Sequence, residues 1–181
     1  PFDDSMPEIL KKNGIWSHLI SDHHHYWQDG GATYHTRYSS WEIIRGQEGD
    51  PYRGIIREPD IPECVVRKPG PFFRQDWVNR GFVKSEYDMP QYKTMKGGLE
   101  FIRQNLTEDN WFLHIETFDP HEPYFTLEHY KSLYPHEYHG KNFDWPPYMP
   151  VTESEEEVAH ARYEFAALMS MCDHYLGELL N

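Results

Sequence analysis

The order of patterns along this sequence predicts an α/β protein with a parallel sheet, and three observations carry that prediction. A helix pattern followed closely by a strand pattern occurs twice, over residues 5–21 and over residues 91–116. Repeated helix-and-strand units lay their strands side by side and parallel. Each strand runs into a loop that bears histidine: His23, His24 and His25 after the first, His121 after the second. A long amphipathic pattern with an acidic start then ends the sequence. Two parallel strands are too few to stand alone, so the sheet is expected to continue with strands outside these 181 residues.

Ser5-Met6-Pro7-Glu8 predicts the first helix start. Ser5 caps, Pro7 lies in the first turn, and Glu8 answers three residues after the cap. Ile9 and Leu10 are expected to face inward, and Gly14 after Asn13 stops the helix. IWSHLIS, residues 15–21, is a strand with Ile15, Leu19 and Ile20 expected to be buried. Residues 28–90 are punctuated by Gly and Pro, including Pro69, so little regular structure is expected there. The aromatics Tyr34, Tyr38, Trp41, Tyr52, Phe72, Phe73 and Trp77 still argue that this segment is ordered. Short helices are expected near residues 40–45 and 74–79. A helix over 91–105 follows, and its Gly97-Gly98 pair weakens it unless it packs very close to something. WFLHIETFDPHEPYF, residues 111–125, begins as a central strand covered on both faces. It ends at Asp119-Pro120, because Pro cannot continue a ladder. Residues 130–150 form a second loop rich in Pro and aromatics. A capping box at Thr152-Glu153-Ser154-Glu155 opens the last helix. Its expected inward stripe is Val158, Ala161, Phe165, Leu168, Met169, Cys172, Leu176 and Leu179.

Composition excludes some functions. The net charge is -13 with histidine neutral, and phosphate-backbone binding needs Lys and Arg in excess. Nucleic acid is therefore not expected as a partner. A small anionic substrate is compatible, since a few local cations outweigh a distant acidic surface. No apolar run approaches the ~20 residues of a membrane span. Cys64 and Cys172 fit no close-spaced metal or redox motif. Asp3-Asp4 has the form of a metal-binding pair, but no strand precedes it, and it reads as a helix start. Neither a Gly-rich phosphate loop nor a Gly-x-Ser-x-Gly elbow occurs.

The candidate site residues are His121, His23 and His25. His121 lies between Pro120 and Pro123, which stiffen its loop at a strand's carboxyl end, where open α/β sheets bind ligands. In the His-x-His of 23 and 25, an extended chain would put both rings on one side. Such histidines either donate to an anionic group or ligate a metal. The plain alternative is a solvated polar turn. A zinc-dependent hydrolase in which His23, His25 and His121 bind the metal directly stays open. So does a sugar-binding module built on Trp41, Trp77 and Trp145.

Four stretches resemble the sulfatase family of the alkaline phosphatase superfamily. They are MPEILKKNGIWSHLISDHHHYWQDGG, YHTRYSSWEIIRGQEGDPY, WFLHIETFDPHEPYF and EEVAHARYEFAALMSMCDHYLGELL, in the family's order and over nearly the whole chain. The resemblance implies an alkaline-phosphatase-like α/β/α sandwich around a mixed sheet, incomplete here, with residues 1–181 the middle of one catalytic domain. It implies a sulfuric ester hydrolase with a formylglycine nucleophile, made from Cys or Ser, and a bound calcium. The family's Cys-x-Pro-Ser-Arg segment and its metal-binding aspartates have no counterpart in these residues. Both groups are therefore expected outside the chain, with no cofactor inside it. His121 matches the histidine of the family's Pro-His-x-Pro loop, which reaches the sulfate. The family's Gly-Lys-x-His segment falls near residues 21–25. His23 and His25 take its Lys and His places, or, one residue earlier, Asp22 stands opposite the Lys. The substrate implied is a small aryl or carbohydrate sulfate. Phosphate and phosphonate monoesters, which relatives in the superfamily hydrolyse, are close to it in shape.

Overall fold

The computed structural model describes residues 4–65 and 70–181. Asp3 of the Asp3-Asp4 pair and Pro69 of the long loop lie outside these residues. Helix α1 (Met6–Lys12) passes through Asn13 and Gly14 into strand β1 (Trp16–Ser21). Gly14 has φ 76°, the left-handed geometry for which helix C-termini favour glycine. The expected capping box at Ser5 does not form. Its side chain makes no cap bond, and Glu8 pairs instead with Lys12 and Arg37. Ile9 is exposed rather than inward, because α1 buries only Pro7.

β1 is flanked by β2 (Ser40–Ile43) and β3 (Trp111–Glu116), in the order β2-β1-β3, and both pairings are parallel. The protein is thus mixed α/β with a small three-stranded parallel sheet among the described residues. The two histidine-bearing strands pair as expected, with Trp16 opposite Trp111 and Ser21 opposite Glu116, so they end level. β2 departs from the expected short helix at 40–45. Its residues pair along β1, Leu19 opposite Trp41 and Ser21 opposite Ile43. So short a segment nucleates a helix poorly. β1's edge offers a ready ladder, and Trp and Ile suit a strand. The middle strand is β1 and not β3. All of β1 after Trp16 is buried, whereas every residue of β3 stays half-buried. Among the described strands β3 has a neighbour on one side only.

Helices α2 (Pro71–Arg80) and α3 (Pro90–Gln104) connect β2 to β3. α3 lies on the sheet through its glycine pair. A Cβ on Gly98 would come 2.2 Å from Ile115 Cδ1, and one on Gly97 would come 3.4 Å from Ile20 Cδ1. Only glycine permits that approach at Gly98. The short α4 (Glu128–Lys131) and the long α5 (Glu155–Leu180) complete the fold. The α5 cap forms two residues later than expected: Ser154 Oγ accepts from Glu157 N at 3.2 Å, and Glu157 Oε2 accepts from Ser154 N at 2.8 Å. The apolar core joins Ala167, Leu168, Met171 and Tyr175 of α5 to Met89 and Tyr130. Phe165, Met169 and Leu176, expected in the inward stripe, are exposed. α5 is apolar on more than one side, so periodicity alone does not choose its buried face. Among the described residues no helix is long and apolar enough to cross a membrane.

Candidate active site at the strand ends

The strands are parallel, so their carboxyl ends share one edge of the sheet. The chain leaves β1 toward β2 on one side and returns as β3 on the other. In open α/β sheets that reversal marks the ligand crevice.

Ser21 and Glu116 tie the two strand ends together. Ser21 Oγ donates to Glu116 Oε2 at 2.7 Å and accepts from His23 N at 3.0 Å, and the Tyr26 hydroxyl donates to Glu116 Oε1 at 2.8 Å. Asp22 turns inward. It is fully buried, and its Oδ1 accepts the Phe118 amide at 2.6 Å. Burial, with the charge of Asp119 behind it, pushes the Asp22 carboxyl well above the usual range.

After His23 the chain enters a 3-10 turn, His24–Trp27, so the extended geometry expected for 23–25 is not kept. The rings of His23 and His25 still meet edge to face, with centroids 5.2 Å apart. His121 arrives from the loop after β3. Its amide donates to Phe118 O at 3.1 Å, its Nδ1 lies 2.7 Å from Glu122 O, and its Nε2 lies 3.3 Å from the Tyr148 hydroxyl. Phe118 gathers all three histidines, with ring centroids 5.3 Å from His23, 6.0 Å from His25 and 4.3 Å from His121. Each ring keeps a face to solvent. Burial holds His23 below its ordinary pKa, partly offset by Glu116.

Beneath these rings lies a floor that the sequence patterns did not mark. In residues 46–50 (GQEGD), the Asp50 carboxylate accepts from Arg45 at 2.8 and 2.6 Å and from Gly46 N at 2.8 Å. Asn79 of α2 donates to Glu48 O and to Asp50 O, both at 2.8 Å, and Gln47 Nε2 donates to Asp119 Oδ1 at 2.7 Å. Gly49 leaves no room for a side chain, since a Cβ there would come 2.4 Å from Phe72. Glu48 sits at φ 46°, a region that non-glycine residues seldom adopt. Its side chain is 4% exposed and lies 3.5 Å from His25 Nε2 and 3.9 Å from His121 Nδ1. Burial first, then the charges of Asp76, Glu122 and Asp119, push the Glu48 pKa up to about 8. Burial pushes Asp119 up to about 7. The only sequence signal for this floor is an acid flanked by glycines. Nothing in it points to Asn79, 31 residues farther on.

His24 is 3% exposed, and neither of its ring nitrogens has a hydrogen-bond partner. Burial, with His25 beside it, lowers its pKa to about 4. Among the described residues, His24, His25 and Glu48 are the one trio of candidate metal ligands whose donor atoms all lie within 4.8 Å of one another. His23, His25 and His121 do not form such a group. Of the tryptophans, Trp77 and Trp145 both pack on Phe73, while Trp41 contacts His35, so no direct ring contact joins the three. Burial pushes the Cys172 thiol up to about 12 and raises Cys64 as well, the reverse of what a thiolate nucleophile needs.

No protein-family model matches this chain, and no curated protein matches it. The chemistry on offer is therefore that of the residues themselves. Solvent-facing imidazoles able to carry a proton stand over buried carboxyls that are only partly paired.

Proposed function

We propose that this chain contributes the anion-facing part of the active site of a sulfuric ester hydrolase of the sulfatase type. The observation that carries this reading is the meeting of His23, His25 and His121 around Phe118 at one shared strand end. A sulfate ester is a stable anion. Its hydrolysis needs a strong nucleophile and stabilisation of charge on the leaving oxygen. Histidines near neutral pKa hold an anionic group and donate a proton to the leaving alkoxide. His121, set between prolines, suits the donor role. His23 and His25 suit the holding role, because their rings meet edge to face beside His121 at the same strand end, with Glu116 Oε1 3.8 Å from His23 Nδ1. Asp22 is a poor stand-in for an anion-binding lysine, because its carboxyl is sealed inside the strand ends. That supports the alignment with His23 in the lysine place.

On this reading the parallel sheet is part of a larger alkaline-phosphatase-like α/β/α sandwich with a mixed sheet. The donor set found here, two imidazoles and a carboxylate, does not fit calcium, which takes about six to eight oxygens. Calcium and the formylglycine nucleophile are accordingly assigned to residues outside these 181.

Turnover of an aryl sulfate and of the matching aryl phosphate by the full-length protein tests the reading. The sulfate ester should be the better substrate. His121→Ala should lower kcat/KM by roughly 10²-fold, the scale of a positioned acid, with the melting temperature held. Preference for the phosphate ester would reassign the site to phosphoryl chemistry. An unaltered rate in His121→Ala would remove the histidine cluster from catalysis.

A further inference from the structure

We propose that His24, His25 and Glu48 form a binding site for a divalent transition-metal ion, zinc being the best match. The first support is spacing. His25 Nε2 and Glu48 Oε2 stand 3.5 Å apart, and two ligands of a tetrahedral zinc with bonds of about 2.0–2.1 Å stand about 3.4 Å apart. His24 offers a nitrogen within 4.8 Å of both other donors. Closing to the tetrahedral edge takes a shift of about an ångström.

The second support is the state of the donor atoms. His24 is buried with both ring nitrogens unpartnered, and Glu48 Oε2 is buried without a hydrogen bond. Buried polar atoms are almost always partnered, so one orphaned ring nitrogen of His24 and the orphaned Glu48 Oε2, both beside His25 Nε2, call for a ligand. A third support is the setting of His25. Its Nδ1 lies 2.8 Å from Gln28 Oε1. That acceptor fixes the proton on Nδ1 and turns the Nε2 lone pair toward Glu48, the outer-shell arrangement of metal-binding histidines. The backbone adds a fourth. Glu48 is held at φ 46° by the Asn79 bond to its carbonyl and by Gly49 packed on Phe72, and strain of this kind gathers at functional sites.

Two imidazole nitrogens and one carboxylate oxygen suit zinc better than calcium or magnesium. Three protein donors leave a fourth position for water or an anionic group. Zinc binding goes beyond the sulfatase reading and does not depend on it. It moves His25 from the ester-holding role to the metal, leaves His23 and His121 to face an ester, and is read by metal content rather than turnover.

The test uses full-length protein stripped of metal by a chelator and dialysed against micromolar zinc chloride. Bound zinc is counted by mass spectrometry, and melting is followed with and without zinc. One equivalent should bind to the wild type and raise its melting temperature. Glu48→Gln and His24→Ala should each weaken binding by about 10²-fold or more, while His23→Ala and His121→Ala leave it intact. If Glu48→Gln and His24→Ala fold poorly, cobalt in place of zinc still decides, because the intense visible bands of a tetrahedral site should appear in the wild type and persist in His23→Ala and His121→Ala. Failure of the wild type to bind zinc would overturn the site. So would full zinc content in folded Glu48→Gln and His24→Ala. Zinc lost from His23→Ala or His121→Ala but kept by His24→Ala would place the metal on the other histidines and equally overturn it.

Discussion

The helical core and the strand ends both bury polar side chains, but they treat them differently. Under α5, the Tyr130 hydroxyl donates to Glu86 at 2.7 Å, Tyr134 meets Ser170 at 2.8 Å, and Lys131 pairs with buried Glu164 at 2.5 Å. Leu168, Met171 and Tyr175 fill the space between, and two orphans remain there, Gln91 Nε2 and the Tyr175 hydroxyl. At the strand ends, Asp22 Oδ2, both nitrogens of His24, Glu48 Oε2 and Asp119 Oδ2 are all buried without partners. Unpaired buried polar atoms cost stability. The first region is therefore assembled to hold the fold. The second keeps groups that a proton, an ion or a ligand would complete, and local conflicts of that kind are expected where a protein functions.

Truncation should separate the two regions most sharply. Leu168 is fully buried in the apolar cluster, so Leu168→Ala should cost about 2–5 kcal/mol in urea unfolding. His121→Ala, at a solvent-facing ring, should cost little. Comparable losses from both would erase the distinction. The contact of α3 with the sheet comes next. Gly98→Ala places a Cβ 2.2 Å from Ile115 Cδ1 and should cost about 1–3 kcal/mol by overpacking. Adding Ile115→Val should recover part of that loss. No recovery would mean the helix does not sit on that side chain.

A smaller effect should run in the opposite direction at the site. Asp119 is buried, with its pKa pushed up to about 7. The folded state thus holds its proton more firmly than the unfolded chain, where the group titrates near about 3.9. Stability is lost as pH rises between those values. Asp119→Asn does not titrate, and its carbonyl can still accept from Gln47. The variant should gain roughly 1–3 kcal/mol on the wild type between pH 5 and pH 8. A gap that ignores pH would show that Asp119 ionises freely in the fold.

How much of this was legible in the sequence follows the same division. The helix–strand units at 5–21 and 91–116 were readable because period and punctuation are local, and so was the parallel pairing of their strands. The meeting of His121 with His23 and His25 followed from strand-end logic. β2 was misread because a segment of that length carries no decisive period, and β1's edge settled its conformation. The buried face of α5 was misread because its apolar residues surround much of the helix. Glu48 and Asn79 were invisible for another reason. Their contact joins a loop without periodicity to a helix far along the chain, and neither residue type is unusual where it stands. His24, between two histidines that could be singled out, gave no sign that it would be the buried one.

The strand-end histidines should form one anion-binding site distinct from the histidines of the helical region. Histidine side-chain 1H–15N spectra of the full-length protein, recorded while an unreactive sulfonate analogue of an aryl sulfate is added, test it most directly. His23 and His121 should shift together along one binding curve, while His136, His160 and His174 on the helical side stay still. Shifts spread equally over both sets, or confined to the helical one, would contradict the account.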